Sequence, residues 1–340
     1  MTAQKIISYA QRYEDLHLIR AFGGQASGFY IDIGAGHPVY DNVSFAFYLR
    51  GWRGVTVEPN PWLAQLSEAV RPLDVRIQSL VGAAAGEAIY YLVEDFHGFS
   101  TTVEGHALKA QSEFGKRSQP MIMRVTTLQA LCEQYAPNTI DFLKIDVEGA
   151  EREVLLGGDW QRCRPKVVIV EALAPVTMAE AFEAWEPLLT AAGYRFALFD
   201  SLNRYYVAEE HAALAERLGA PGSFDGVTAF RQFKPALDDA LHPDYRLARL
   251  LGAADMVRLP LLSFDTIAEL LINGLDPTRL VQSSDIAAAH QRLFGIPPTA
   301  AWTESLQLAA NATIRDLYRS AVASAPFRTA CGRISASYSW

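Results

Sequence analysis

From residue 28 onward, short apolar runs alternate with longer stretches whose apolar positions recur at helical spacing. That is the pattern of repeated βα units around a parallel sheet. Strands are predicted over residues 29–33, 55–58, 75–77, 142–146 and 167–171. They are almost continuously apolar, which implies burial on both faces of the sheet. Between them, helices are predicted over residues 42–48, 61–70, 127–135, 148–156 and 178–192. Two further runs, 194–199 and 205–208, flank Asp200-Ser201-Leu202-Asn203, a spacing suited to an antiparallel hairpin that closes the sheet. Residues 86–119 interrupt the alternation with a short strand and a helical piece, an insertion placed to cover a site. Beyond residue 230 the strand pattern stops and prolines punctuate short helical stretches such as 263–273. The expected organisation is a domain over residues 1–230 and a helical region over 231–340.

Charge sharpens this division. The net charge is −8, and residues 231–340, with 11 basic and 10 acidic groups, hold +1 of it, leaving −9 for residues 1–230. An acidic body argues against a general electrostatic grip on nucleic acid, which is made by Lys and Arg at phosphates. Half of the residues are hydrophobic and 20% are charged, so the chain can bury a large core. Cys132, Cys163 and Cys331 stand far apart without a CxxC pair, so neither a disulfide framework nor a thiolate zinc site is expected, and a reducing compartment fits. No integral membrane segment is expected, and the first residues lack the apolar core of a signal peptide. The protein reads as cytoplasmic.

In an open α/β sheet, ligands bind beyond the carboxyl ends of the strands, where strand order reverses. Four of the five predicted strands carry an acid at their ends: Asp32, Glu58, Asp146 and Glu171. The turn Gly34-Ala35-Gly36 opens like a dinucleotide fingerprint, but Val39 stands where a third glycine belongs, so a pyrophosphate is disfavoured. Glu58 is placed to accept hydrogen bonds from the hydroxyls of a ribose. S-adenosylmethionine meets both demands, having a ribose, no phosphate, and a sulfonium that favours an acidic pocket.

Three segments carry a family resemblance. Gly28-Phe29-Tyr30-Ile31-Asp32-Ile33-Gly34-Ala35-Gly36, Gly51-Trp52-Arg53-Gly54-Val55-Thr56-Val57-Glu58-Pro59-Asn60-Pro61 and Asp141-Phe142-Leu143-Lys144-Ile145-Asp146-Val147-Glu148-Gly149-Ala150-Glu151 closely resemble the FkbM family of S-adenosylmethionine-dependent methyltransferases. The likeness extends over roughly residues 8–230, from the Tyr9-Ala10-Gln11 to Glu14-Asp15-Leu16 element to the hairpin at Asn203-Arg204-Tyr205-Tyr206-Val207. It implies an α/β, Rossmann-like class I methyltransferase fold, a seven-stranded mostly parallel sheet with an antiparallel hairpin, here followed by the helical C-terminal appendage. It also implies O-methylation of a hydroxyl, often on a sugar of a surface glycan, glycolipid or secondary metabolite. By motif, Asp32, Gly34 and Gly36 would line the methionine side of the donor, with Asp146 nearby. Glu58 and Pro59 would meet the ribose, Ser79 would flank adenine, and Gln11 and Glu14 would join from upstream. Where many members have Asn after Gly-Ala, this chain has Gly36 followed by His37.

Methyl transfer to oxygen is an in-line displacement at an activated carbon, so alignment and exclusion of water come first. The hydroxyl must still lose a proton, and Asp146, Glu148 and His37 are the candidate acceptors. Asp146 and Glu148 would point to one side if the strand continued that far. A divalent metal is the mechanistic rival and would find oxygen ligands in Asp146, Glu148 and Glu171, although no motif demands one. In the insertion, Phe96-His97-Gly98-Phe99-Ser100-Thr101-Thr102 mixes aromatics and hydroxyls as a sugar-facing lid would, with His97, Phe99 and Ser100 as candidate acceptor contacts. The expected partners are a small-molecule or glycan acceptor and, through residues 231–340, a second copy or a glycosyltransferase. The rival readings are a tailoring enzyme of a secondary metabolite and a non-catalytic docking module of a glycan-assembly complex.

Overall fold

The structure, a computed structural model, describes residues 6–338 apart from 94–97, 99, 176, 220–223 and 253–254. In chain order the strands are β1 (Ile6–Ser8), β2 (Phe29–Ile33), β3 (Arg53–Val57), β4 (Val75–Ile77), β5 (Leu80–Val81), β6 (Gly86–Leu92), β7 (Gln119–Thr126), β8 (Phe142–Ile145), β9 (Val167–Glu171), β10 (Tyr194–Phe199), β11 (Asn203–Ala208) and β12 (Val227–Ala229). The helices among them are α1 (Glu14–Phe22), α2 (Phe45–Leu49), α3 (Pro61–Val70), α4 (Glu104–Phe114), α5 (Leu128–Tyr135), α6 (Glu151–Leu156) and α7 (Glu186–Ala191).

The main sheet has seven strands in the order β10-β11-β9-β8-β2-β3-β4. All neighbours are parallel except β11, which runs antiparallel to both β9 and β10. This is the sheet that the resemblance implies. The chain leaves β2 towards β3 and β4, then returns to the other side of β2 through β8, so strand order reverses between β2 and β8.

Alternation within the buried strands divides the core between two faces. Ile31, Ile33, Val55, Val57, Leu143, Ile145, Val168 and Val170 pack on one face with Leu128, Leu131 and Val154. Tyr30, Phe142, Val167, Ile169, Tyr205 and Val207 pack on the other with Leu18, Phe22, Phe47 and Trp52. Asp32 and Lys144 are register partners two residues beyond the Tyr30–Phe142 pair, on this second side. The insertion supplies β6 and α4, and β6 joins β5 and β7, which flank the insertion in the chain, in a separate sheet of order β5-β7-β6.

Several local expectations are corrected. Residues 178–192 are not one helix; a 3-10 turn over Phe182–Ala184 precedes α7, because Pro187 can occupy only a helix's first turn. The helix expected from residue 148 begins at Glu151, since Glu148 and Gly149 have φ of 55° and 103°. The parallel pair β1 and β12 had no signal in either three-residue segment. The cysteine reading is also overturned, because Cys132 of α5 and Cys163 form a disulfide, with Cα atoms 5.8 Å apart. Thirty-one residues separate them along the chain, but α5 and the turn before β9 share one face of the sheet. The cysteine count therefore no longer argues for a reducing compartment.

The chain divides into two compact bodies. One comprises the residues up to Gln65 with Asp74–Phe230, and the other comprises Leu66–Leu73 with residues 231 onward. The second is helical around Leu247, Leu259, Ile267, Leu271, Leu317 and Phe327. Its helices Phe264–Leu271 and Ile314–Ala323 are capped by Ser263 and Thr313, whose hydroxyls accept the N–H of Thr266 and Asp316. Arg333 donates in a fork to Asp244, both bonds at 2.6 Å. No helix among the described residues is long and apolar enough to cross a membrane.

Candidate functional site

The carboxyl ends of β2, β3, β8 and β9 place Asp32, Glu58, Asp146 and Glu171 along one edge of the sheet. Between the first two lies the glycine turn. Gly34 has φ of 72°, and a Cβ there would run into the carbonyl oxygen of Asp146, so only glycine lets the β2 and β8 ends meet. Gly36, at φ 58°, donates its N–H to Glu58 Oε2 at 2.8 Å. Asn60 donates its N–H to Glu58 Oε1, also at 2.8 Å. The two bonds pin the carboxylate, yet each oxygen keeps a second acceptor position. Burial pushes the Glu58 carboxyl up to about 7 against the pull of these N–H groups.

Lys144 is the cation of this edge. Its Nζ donates to the Gly34 carbonyl at 2.8 Å and lies 3.1 Å from Asp146 and 3.7 Å from Asp32. Burial works against its charge, but Asp146 and Asp32 outweigh burial and hold the ammonium above the ordinary lysine range. Asp32 is fully buried. Ser44 donates to its Oδ2 at 2.5 Å, while Oδ1 receives no hydrogen bond. Asn42 ties the turn together by donating to the Ala35 carbonyl and accepting from the N–H of Phe45.

His37 lies in the turn with its ring buried. Its Nδ1 accepts the N–H of Val39 and Tyr40 at 3.1 and 3.0 Å, so this nitrogen holds the loop and is not open to a hydroxyl proton. Pro59 is half-buried beside Glu58. Ser79 is buried and donates to the carbonyls of Leu80 and Arg124, an arrangement that joins the end of β4 to the inserted sheet.

Strand geometry stops at Ile145, so the alternation that would align Glu148 with Asp146 does not apply. Glu148 nonetheless stays in the group. Burial, then Asp146 and Glu151, pushes its carboxyl well above the usual range, and burial and Asp146 do the same to Glu171. The N–H groups of Val147 and Gly149 go to Glu151 in the first turn of α6. Among the described residues no group of three or more His, Cys, Asp or Glu is arranged to hold a metal ion.

The upstream element reaches this edge from another side. Tyr9 accepts the N–H of Asn42, and Gln11 is exposed. Glu14, at the start of α1, accepts from Asn203 at 2.9 Å and from the N–H of Arg12 at 2.6 Å. Burial and then Asp200 push it up to about 8. Glu14 thus belongs to a network with Asn203, Asp200 and Tyr205, and Asn203 is the register partner of Glu171.

His97 and Phe99 lie outside the described residues. Ser100 is buried and accepts the N–H of Val93, and Thr101 donates to the Glu148 carbonyl at 2.8 Å. The insertion is thereby tied to the β8 loop. It also brings Tyr90 of β6, raised by burial and then by Glu58, within the influence of both Glu58 and Glu148. Tyr90, Ser44 and Asn60 were not singled out from the sequence, since a tyrosine in an alternating strand and polar loop residues carry no signal by themselves.

Residues 32–196 match the model of the Methyltransferase FkbM domain. Among solved structures, a TehB-like SAM-dependent methyltransferase from Corynebacterium glutamicum is similar, at a TM-score of 0.33 and 10% identity, with 57% of this chain and 87% of that chain covered. No curated protein matches this chain. The match spans the glycine turn, Glu58 and the segment from β8 through Glu151, so residues 32–196 of this chain are similar to the FkbM methyltransferase domain.

Proposed function

We propose that this protein transfers the methyl group of S-adenosylmethionine to a hydroxyl of a carbohydrate or glycosylated intermediate of surface-glycan or glycolipid assembly, working in the cytoplasm where that donor is made. The observation that carries the reading is Glu58, pinned by the N–H groups of Gly36 and Asn60 beside the reversal of strand order. The residues present fit the donor. A glycine turn without room for a Cβ lets the backbone approach closely, Asp32 Oδ1 is buried without a donor, and the edge is acidic as a sulfonium requires.

In this reading, when bound the donor supplies a carbon already activated for displacement. Glu58 holds the ribose hydroxyls. Asp32 and the Gly34-Ala35-Gly36 backbone meet the methionine end, Lys144 keeps Asp146 and Asp32 in place, and Ser79 lies towards adenine. The carboxyls of Asp146, Glu148 and Glu171 are the groups able to orient an acceptor hydroxyl and take its proton. Support for a hydroxyl acceptor is this supply of acceptor oxygens on one edge; the sugar rests on the family resemblance. The helical body, with a core of its own, is the element assigned to a second copy or a glycosyltransferase.

Calorimetric titration with S-adenosylmethionine and S-adenosylhomocysteine tests the donor site. Glu58→Ala removes two charge-assisted hydrogen bonds to the ribose, so affinity falls about 100-fold, or about 3 kcal/mol. Labelled methyl transfer to neutral sugars, amino sugars, nucleotide sugars and polyketides then separates the sugar reading from that of a secondary-metabolite enzyme. Unaltered binding by Glu58→Ala would remove the site as drawn.

A further inference from the structure

The small sheet has one closed face and one open face. Alternation along β6 and β7 buries Tyr90 and Met123, which pack with Leu80 on the closed side. The residues between them form three cross-strand pairs on the open side: Glu87 with Arg124, Ile89 with Ile122, and Tyr91 with Pro120. Side by side at the centre of this ribbon, Ile89 is 50% exposed and Ile122 is 73% exposed. A pair of β-branched residues in register is what a packed sheet face carries, yet half or more of each stays open to solvent. Glu87 and Arg124 stand at the same height on the two strands, and neither side chain makes an ion pair or a hydrogen bond among the described residues.

We propose that this open face is an interface between two copies of the chain, filled by Ile89 and Ile122 and set in register by Glu87 and Arg124. Two sheets pack face to face about 10 Å apart, close enough for side chains of both to interdigitate. Under a two-fold axis running along the strands, midway between them, β6 of each copy lies over β7 of the other. Glu87 then faces Arg124 of the second copy, Ile89 faces its Ile122, and Tyr91 faces its Pro120. The four charges alternate in sign, so each has an opposite charge both across its own ribbon and across the interface. A two-fold axis running across the strands would instead set Glu87 against Tyr91 and Arg124 against Pro120, and the charges would go unmet. The strand register therefore selects one arrangement. Six residues a side are fewer than the roughly 20–30 of a standard interface, so the pair is a weak one, dissociating at about 10–100 µM.

Sedimentation equilibrium of the full chain from about 5 to about 500 µM should show monomers passing into dimers. Glu87→Arg and Arg124→Glu each bring four like charges together, so either variant alone should associate at least about tenfold more weakly. In a mixture of the two variants every pair of charges facing across the interface is again opposite. Dimers with one copy of each should therefore recover most of the lost affinity, which also shows that both variants are folded. A chain that stays monomeric to about 500 µM would overturn the proposal. So would dimers indifferent to both reversals, as pairing along the β6 edge or through the helical body would give, and so would a mixture that recovers nothing.

Discussion

A lysine inside a parallel strand is costly unless its charge is met, and Lys144 meets Asp146 and Asp32 across the ends of β8 and β2. Lys144→Met would leave Asp32 buried with its charge unpaired, so we expect a loss of about 3–5 kcal/mol in urea unfolding. A loss under about 1 kcal/mol would show that the Lys144 ammonium does not hold this edge together. Buried carboxyls also set the pH dependence of stability. Glu14 rises from 4.5 to about 8, Asp15 from 3.8 to about 6 and Glu58 from 4.5 to about 7, each chiefly through burial. The native state therefore holds more protons than the unfolded chain across this range, and stability falls as pH rises. Thermal melts should give the higher midpoint near about pH 5 and the lower near about pH 8, with a shallower slope in Glu14→Gln. A midpoint that rises over that interval would contradict the burial of these acids. At this scale the acids at strand ends were legible, because an apolar run that stops at a carboxyl is visible in one dimension. Glu148's left-handed backbone and the partners of Lys144 were not, since they depend on neighbouring strands.

Among elements, α5 shows how local rules and distant contacts combine. Thr127 caps it by accepting the Ala130 N–H, and Leu128, Leu131 and Cys132 recur at the spacing that turns one side to the sheet. That same side brings Cys132 to Cys163. Closing a 31-residue separation restricts the unfolded chain by about 3–4 kcal/mol, so reduction or Cys132→Ser should lower stability by up to that amount. Peptide mapping with thiols blocked at lysis should find these two joined and Cys331, buried in the helical body, as a thiol. Recovery of Cys132 and Cys163 both blocked would remove the disulfide. Hydrophobic periodicity located most helices but not their starts, as α6 and α7 show. Those starts depend on φ at single residues and on the missing N–H of Pro187.

For the molecule as a whole, the boundary near residue 230 is less simple than the composition shift suggests. Leu66–Leu73 group with the C-terminal helices. Within that body Arg328 donates to the Ala69 carbonyl at 3.0 Å, and Val70 lies where a side chain on Gly332 would fall. A chain ended at residue 230 should therefore melt at a lower temperature than the full chain and expose Val70, now fully buried. An unchanged melting temperature would show that this helix end needs no partner. The order of βα units, the hairpin and the acids at the strand ends follow from the sequence alone, because period and punctuation are local. Tertiary structure decided which charges share a dielectric: Lys144 between Asp32 and Asp146, Glu58 held by two backbone N–H groups, Glu171 beside Asp146, and Cys132 beside Cys163. Electrostatic energy and bond formation depend on distance in space, which the sheet sets only when strands far apart in the chain come into register.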